Sequence, residues 1–433
     1  VYYDYMLPGL FMHQRAAAVK NPTRKKEIEL MLIAANTMIV GDGSTVLKQA
    51  ALRIGHDGRI CELGPREAVM SAHPEESLRD YGEATVMPGL IDMHVHLGYW
   101  WSKPDNRKYN DHLIAYLGMH NAQRSLFAGV TTVRDVSSPH MLCQKMREAG
   151  QKGYVRLPRI IHCDSALCFT GGHGWELEGG MYEVDGEAEI RKAIRRNLRD
   201  GADFIKIMSS HRSDISEYTQ AELDAAADEC HRVGRKLAVH AGTQPSIQMS
   251  IDAGIDTIEH GTYLTVEQCL QMREKGLVWV PTIIAYTYIY ETVTAQIESG
   301  TLDADNLVNS GLLRELGYFE KAATTYRINF KKLYDTGVTV VAGTDMVMDG
   351  APGAPVAREL QYFVDYGITP VEAIGTATGN SAKALGLEEE IGTLKGGTLA
   401  DLLVVEGDAS VDIKALSSIL DVYQDGKAIH REF

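Results

Sequence analysis

The stretch Val86-Met87-Pro88-Gly89-Leu90-Ile91-Asp92-Met93-His94-Val95-His96 sets the frame for the whole chain. A Pro-Gly turn opens a short apolar run, and two histidines leave it two residues apart. On a strand, residues i and i+2 share a face, so His94 and His96 present two imidazoles to one point. Neutral imidazole is a common ligand for divalent transition metals. A lone H-x-H also occurs as paired surface or core histidines, so its meaning depends on what other runs bring to the same place.

Downstream, apolar strand-like runs alternate with amphipathic helical segments, which implies parallel β/α architecture. Eight runs are expected, at Leu90–His96, Thr131–Asp135, Arg159–Asp164, Phe204–Ser209, Leu237–His240, Thr257–His260, Val278–Thr282 and Val338–Asp345. Helices are expected over Ala188–Arg199 and Ala221–Val233. Eight parallel strands suit a closed (β/α)8 TIM barrel, whose active site lies at the C-terminal strand ends. A doubly wound open sheet would need an early Gly-rich phosphate turn, and the sequence has none.

Upstream, from Leu30 to Thr85, short β runs are broken by turns such as Gly41-Asp42-Gly43-Ser44 and His56-Asp57-Gly58-Arg59. The same texture returns in Gly392–Val405 and in the Asp425-Gly426 hairpin. Asp-Gly between apolar runs is a strong hairpin signal. The two ends are therefore expected to pair in one small β-sandwich. The expected division is an N-terminal extension over 1–27, the first half of the β-sandwich over 28–85, the barrel over 86–388 and the second half of the sandwich over 389–433.

A chain of 433 residues accommodates a barrel and a smaller unit. Its net charge of −15 argues against a nucleic-acid backbone or an anionic membrane surface as partner. The six cysteines, Cys61, Cys143, Cys163, Cys168, Cys230 and Cys269, form no C-x-x-C pair, and buried free thiols are expected. No apolar run reaches the roughly 20 residues of a spanning helix, and the N-terminus lacks a secretory pattern. A cytoplasmic protein is the expectation.

The ends of the predicted strands carry the chemistry. His94 and His96 end run one, Lys206 lies in run four, His240 ends run five, His260 ends run six and Asp345 ends run eight. Six such residues in register are hard to assign to chance. Lys206 sits in an otherwise apolar strand, where an ammonium is costly. Two states suit it: an ion pair, or a neutral amine that has captured carbon dioxide as an anionic carbamate.

This arrangement resembles the amidohydrolase superfamily. The marks are P-G-x-I-D-x-H-x-H, the strand-four lysine, the strand-five and strand-six histidines, the strand-eight aspartate and the terminal G-T-L-x-x-G-x-x-A-D-L run. The resemblance implies a binuclear site. His94, His96 and Asp345 would hold one divalent metal, His240 and His260 a second, and carboxylated Lys206 would bridge them with a hydroxide. Zinc suits the imidazole and carboxylate ligands, with cobalt, manganese and iron as competitors. Asp345 would accept the hydroxide proton and pass it to the leaving amine. The nearest branch is that of imidazolonepropionase-like hydrolases with Xaa-Pro dipeptidases. Thr170-Gly171-Gly172-His173-Gly174 resembles its strand-three loop, so His173 would contact the substrate carbonyl, with Tyr263 as a second candidate.

Deaminases of the superfamily usually carry a Glu three residues after the strand-five histidine; here that position is Thr243. Hydrolysis of an amide-type C–N bond, in dipeptides or N-acyl amino acids, is the leading expectation. Aryl amides, carbamates or phenylureas are the alternative, and a non-catalytic scaffold is the reading from another class. The loop Ser209-Ser210-His211-Arg212-Ser213-Asp214 departs from the dipeptidase pattern, although Arg212 suits a substrate carboxylate. Tyr99-Trp100-Trp101 would set aromatic surface beside the metals or pack the barrel rim. By analogy with the branch, a homo-oligomer is expected, with a small molecule as substrate.

Overall fold

The computed structural model describes residues 28–99, 110–177, 179–211, 214–301, 307–347 and 354–429. The expected N-terminal extension over 1–27 lies outside the described residues, as do Trp100, Trp101 and Arg212.

Strands β1 (Met31–Ile39), β2 (Val46–Ile54) and β3 (Ile60–Pro65) form an antiparallel meander, with β4 (Ser77–Asp80) and β5 (Thr85–Pro88) parallel to β1. The expected pairing of the two chain ends is made by β5, which lies antiparallel to a strand from the far end. With those C-terminal strands, one continuous eight-stranded sheet results.

After β5, Gly89 turns the chain into β6 (Leu90–Val95). A side chain at this glycine would meet Thr131 at 2.3 Å, which explains why position 89 is glycine. Parallel strands β7 (Val130–Asp135) and β8 (Arg159–His162) complete a three-stranded sheet. Short strands β9 (Ala166–Cys168) and β10 (Met181–Glu183) follow; neither is expected from the sequence. They join β11 (Ile205–Met208), β12 (Leu237–Ala241), β13 (Thr257–His260), β14 (Val278–Val280) and β15 (Thr339–Val340) in a seven-stranded parallel sheet. All eight expected runs are thus strands. Backbone bonds cross both gaps between the sheets: Asp203 N donates to His162 O at 2.8 Å, and Met93 N donates to Ala342 O at 2.9 Å. The chain closes with β16 (Leu402–Val405), β17 (Ile419–Gln424) and β18 (Lys427–Ala428) in the first sheet.

Helices between the strands start where side chains can cap them. Thr219, Thr265 and Thr369 each form a capping box with a Glu or Gln three residues on, which satisfies orphan amide donors of the first turn. The expected helices appear as Gly186–Arg199 and Gln220–His231. A pair of long helices, Ile283–Glu298 and Leu307–Tyr334, fills the connection from β14 to β15. The cysteines are free thiols; five are buried, and Cys61 is exposed. No described helix is long and apolar enough to cross a membrane.

Candidate metal centre and substrate cavity

The C-terminal ends of the parallel strands bring the predicted residues together. His94 leaves β6 with its ring centroid 5.1 Å from that of His260 at the end of β13, and His260 is 4.4 Å from His240 at the end of β12. One ligand atom from each of His94, His260 and Asp345 lies within 4.8 Å of the other two. His96 Nε2 approaches Asp345 Oδ1 at 3.2 Å, and His94 Nε2 approaches it at 3.5 Å.

Two of the imidazoles are oriented by acceptors on their far side. His96 Nδ1 donates to Ser137 O at 2.9 Å, and His94 Nδ1 donates to Glu259 Oε2 at 2.8 Å. A carbonyl or carboxylate can only accept, so in the neutral ring each Nε2 carries the lone pair on the side of Asp345; burial would lower His96, but that carboxylate raises it. This is how metal-binding histidines are usually held. Burial pushes the His94 imidazole down to about 4, keeping it neutral. Burial would raise the Asp345 carboxyl, but its interactions with His94 and His96 outweigh that and hold it well below the usual carboxylate range.

Glu259 is a functional residue that sequence reasoning misses. It is fully buried, and besides His94 it accepts from Arg134 Nη2 at 2.7 Å and Thr257 Oγ1 at 2.6 Å. The available signal is its position two residues after Thr257 on the same face. His260 has a left-handed φ of +65°, which ends the alternation and lets adjacent Glu259 and His260 both reach His94. Asp92 is likewise buried and braces the opposite seam. It accepts from His94 N at 3.1 Å, Thr344 N at 3.0 Å and Thr344 Oγ1 at 2.7 Å. Gly343 permits this approach, since a side chain there would meet Val280 at 2.5 Å and His94 Cβ at 2.9 Å.

Backbone strain collects at the same rim. Asp164, His260, Thr282 and Asp345, each at or just beyond the end of a parallel strand, all have positive φ. For β-branched Thr282 this is a true outlier. Its Oγ1 meets His260 Nδ1 at 2.7 Å. The amides of Ile283 and Ile284 that follow donate to the buried Glu359 carboxylate at 2.8 and 2.7 Å.

Lys206 lies on β11 two residues before Met208, on the same face. Its side chain is fully buried, and Nζ has no hydrogen-bond partner among the described residues. Burial lowers the ammonium to about 8, with the nearby Arg134 charge acting in the same sense. A buried amine with nothing bonded to it is costly, and a group that divalent ions and a carbamate would complete resolves that cost. The donor set, neutral imidazole lone pairs and an ionised carboxylate beside this amine, fits such a centre.

His173 sits at the rim with its ring 4.3 Å from that of His240, and its Nδ1 lies 2.8 Å from His211 Nδ1. Its backbone N donates to Glu217. These groups border a cavity of about 310 Å³, whose other wall includes Met181, Met208, Tyr286, Ile289 and Phe319. Two expected substrate contacts lie elsewhere. Tyr263 lines a separate cleft with Gln244 and Lys321, because both His260 and Gly261 are left-handed and turn the chain away. Tyr99 is buried against Ser137, its ring 5.7 Å from His96, and does not line the cavity. Trp100, Trp101 and Arg212 fall outside the described residues.

Comparison with known proteins identifies the family. A family model described as the amidohydrolase family matches residues 85–429. Ochratoxinase of Aspergillus niger is 28% identical over 93% of this chain and 85% of its own length. A crystal structure of a Xaa-Pro dipeptidase with methionine bound in its active site superposes with a TM-score of 0.81 at 28% identity, covering 93% of this chain and 100% of that one. That of a putative prolidase from Bifidobacterium longum gives 0.78 at 27% identity, covering 94% and 95%.

Proposed function

Because the chain belongs to the amidohydrolase family, we propose that this hydrolase of C–N bonds is metal-dependent and cleaves an amide-type bond in dipeptides or N-acyl amino acids. The observation that carries the reading is the meeting of His94, His260 and Asp345 at one point, beside an amine on Lys206 that is buried and unbonded. His94, His96 and Asp345 would hold one ion, His240 and His260 a second, and Lys206 as a carbamate would join them. Divalent ions there would supply Lewis acidity and a water made acidic enough to ionise near neutral pH.

The chain's own side chains do the remainder. Asp345, an anion at neutral pH, takes the proton of the attacking water on its carboxylate and returns it to the leaving nitrogen. His173 stands beside His240 at the cavity rim, where an imidazole N–H can meet the scissile carbonyl oxygen. Glu259 and Ser137 O keep His94 and His96 in one tautomer through the cycle.

We read the two parallel sheets as arcs of one (β/α)8 barrel over 86–388, since backbone bonds cross both gaps. We read 28–85 and 389–433 as a sandwich, because Ile33, Leu52, Leu402 and Tyr423, from both ends, share one apolar cluster. A cytoplasmic homo-oligomer belongs to the same proposal, checked by sedimentation velocity and cell fractionation.

A second reading, hydrolysis of aryl amides, carbamates or phenylureas, is favoured by the aromatic wall of Tyr286 and Phe319. The test is a hydrolysis panel on metal-reconstituted protein: Xaa-Pro dipeptides, N-acyl amino acids, aryl carbamates and phenylureas, with released amine as readout. Turnover confined to substrates with a free carboxylate supports the first reading. Turnover of neutral aryl substrates alone supports the second. No turnover of any, with metal bound, overturns both.

A further inference from the structure

The helices Ile283–Glu298 and Leu307–Tyr334 lie between β14 and β15, and their facing sides carry aromatic residues that nothing in the catalytic chemistry requires. Tyr286 and Ile289 from the first helix and Phe319 from the second line the histidine cavity, together with Met181 and Met208. The wall is tied to the centre. Tyr286 lies 5.7 Å from the His260 ring, and its ring meets those of Phe319 and Tyr326 at 6.3 and 5.7 Å. The Tyr326 hydroxyl, in turn, is shared between His260 O at 3.1 Å and Pro281 O at 3.0 Å.

From these contacts we infer that the helical pair is the specificity element of the site, selecting a substrate with an uncharged apolar side chain or ring next to the scissile bond. This rests on the hydrolase reading. The distance supports the placement: a wall one ring away from His260 meets a group close to the reacting carbon. The size of the cavity, about 310 Å³, is at the lower end for small-molecule sites, so a dipeptide or acyl amino acid fits. Charge points the same way. No Lys or Arg is among the described lining residues to pair with an acidic side chain. Methionine is unbranched and adapts its shape, so Met181 and Met208 make the pocket tolerant among apolar groups.

Two substrate series on metal-reconstituted protein test this: Xaa-Pro dipeptides and N-acetyl-Xaa, with Xaa as Gly, Asp, Leu or Phe. In whichever series turns over, kcat/KM for Leu and Phe should exceed that for Gly by about 10- to 100-fold, the worth of one buried apolar side chain, and Asp should fall below Gly. Ile289→Ala and Phe319→Leu should each shrink the Leu-to-Gly ratio at least fivefold. A ratio near one in the wild type, or one unmoved in both variants, overturns the inference. A binding arm separates its failure from that of the hydrolase reading. Calorimetric titration with N-acetylphenylalanine amide and N-acetylglycine amide should show the former at least tenfold tighter. If no substrate is turned over but that preference holds, only the hydrolase reading falls. Equal affinity, or binding of neither, overturns the specificity wall.

Discussion

Replacing Glu259 should separate two roles that its carboxylate combines. Its oxygens accept from Arg134 Nη2 at 2.7 Å, Thr257 Oγ1 at 2.6 Å and His94 Nδ1 at 2.8 Å. The Arg134 and Glu259 side chains are 4% and 0% exposed, so water cannot replace the lost partner. Glu259→Ala leaves a buried guanidinium without its anion, and breaking such a pair costs about 3–5 kcal/mol. It also frees His94 to rotate or change tautomer, for which loss of a supporting hydrogen bond typically costs about 10–100-fold in metal affinity. Guanidinium denaturation reads the first quantity, and chelator competition with metal analysis reads the second. The combined change Arg134→Met with Glu259→Leu removes both charges, so most of the stability should return, while His94 still lacks its acceptor and metal affinity stays low. If the double variant recovers metal affinity as well, Glu259 serves only the ion pair. If Glu259→Ala alone leaves both quantities within error of the wild type, the reasoning is refuted.

Three further outcomes are expected. Lys206→Ala should reduce bound metal from two ions to at most one per chain, by metal analysis after reconstitution; two firmly held ions would remove the bridging carbamate. Asp345→Asn should keep much of the metal and lower kcat by about 10²–10⁴, the usual contribution of a positioned acid–base group; a near-normal kcat would exclude it as the base. Glu229 gives a test of pH dependence away from the site. Hydrogen bonds from Arg195 and then Arg232 pull it from 4.5 down to about 2 despite its burial. A carboxylate whose folded pKa is depressed stabilises fully above its unfolded pKa and loses that contribution as pH falls through the folded value. With Arg195 and Arg232 at 63% and 51% exposed, solvent screening limits the effect to about 1 kcal/mol. Glu229→Gln should therefore cost this much at pH 7 and progressively less between pH 4.5 and 2. An equal cost at every pH would count against the ion-pair account.

The candidate ligands are legible because each combines a distinctive residue type with a local pattern. A histidine ending an apolar run, or a lysine inside one, is conspicuous before any fold is known, and the eight runs themselves follow from the alternation of strand and helix patterns. What escapes is fixed by pairings across long separations. Glu259 reads as an ordinary strand acid until Arg134 and His94 are seen against it, 125 and 165 residues away. Glu359 carries no mark that it holds the amides of Ile283 and Ile284, some 75 residues earlier. Strands β9 and β10 are three residues each, too short to show a period. Tyr263 is misplaced for a related reason: three residues after a ligand is near in sequence, but two successive left-handed residues redirect the chain. The aromatic wall is hidden differently. Which side of a long helix faces a cavity is decided by its partner helix, so Tyr286 and Phe319 read as ordinary core residues until the pair is assembled. If the ligand set supplies the common chemistry of the family while that helical pair supplies the selectivity, then exchanging residues at 286, 289 and 319 should change which substrates are cleaved before it changes whether metal is held. The two kinds of residue differ in legibility for the same physical reason that they differ in role: a ligand must be one of a few residue types, whereas a wall needs only shape and an apolar surface.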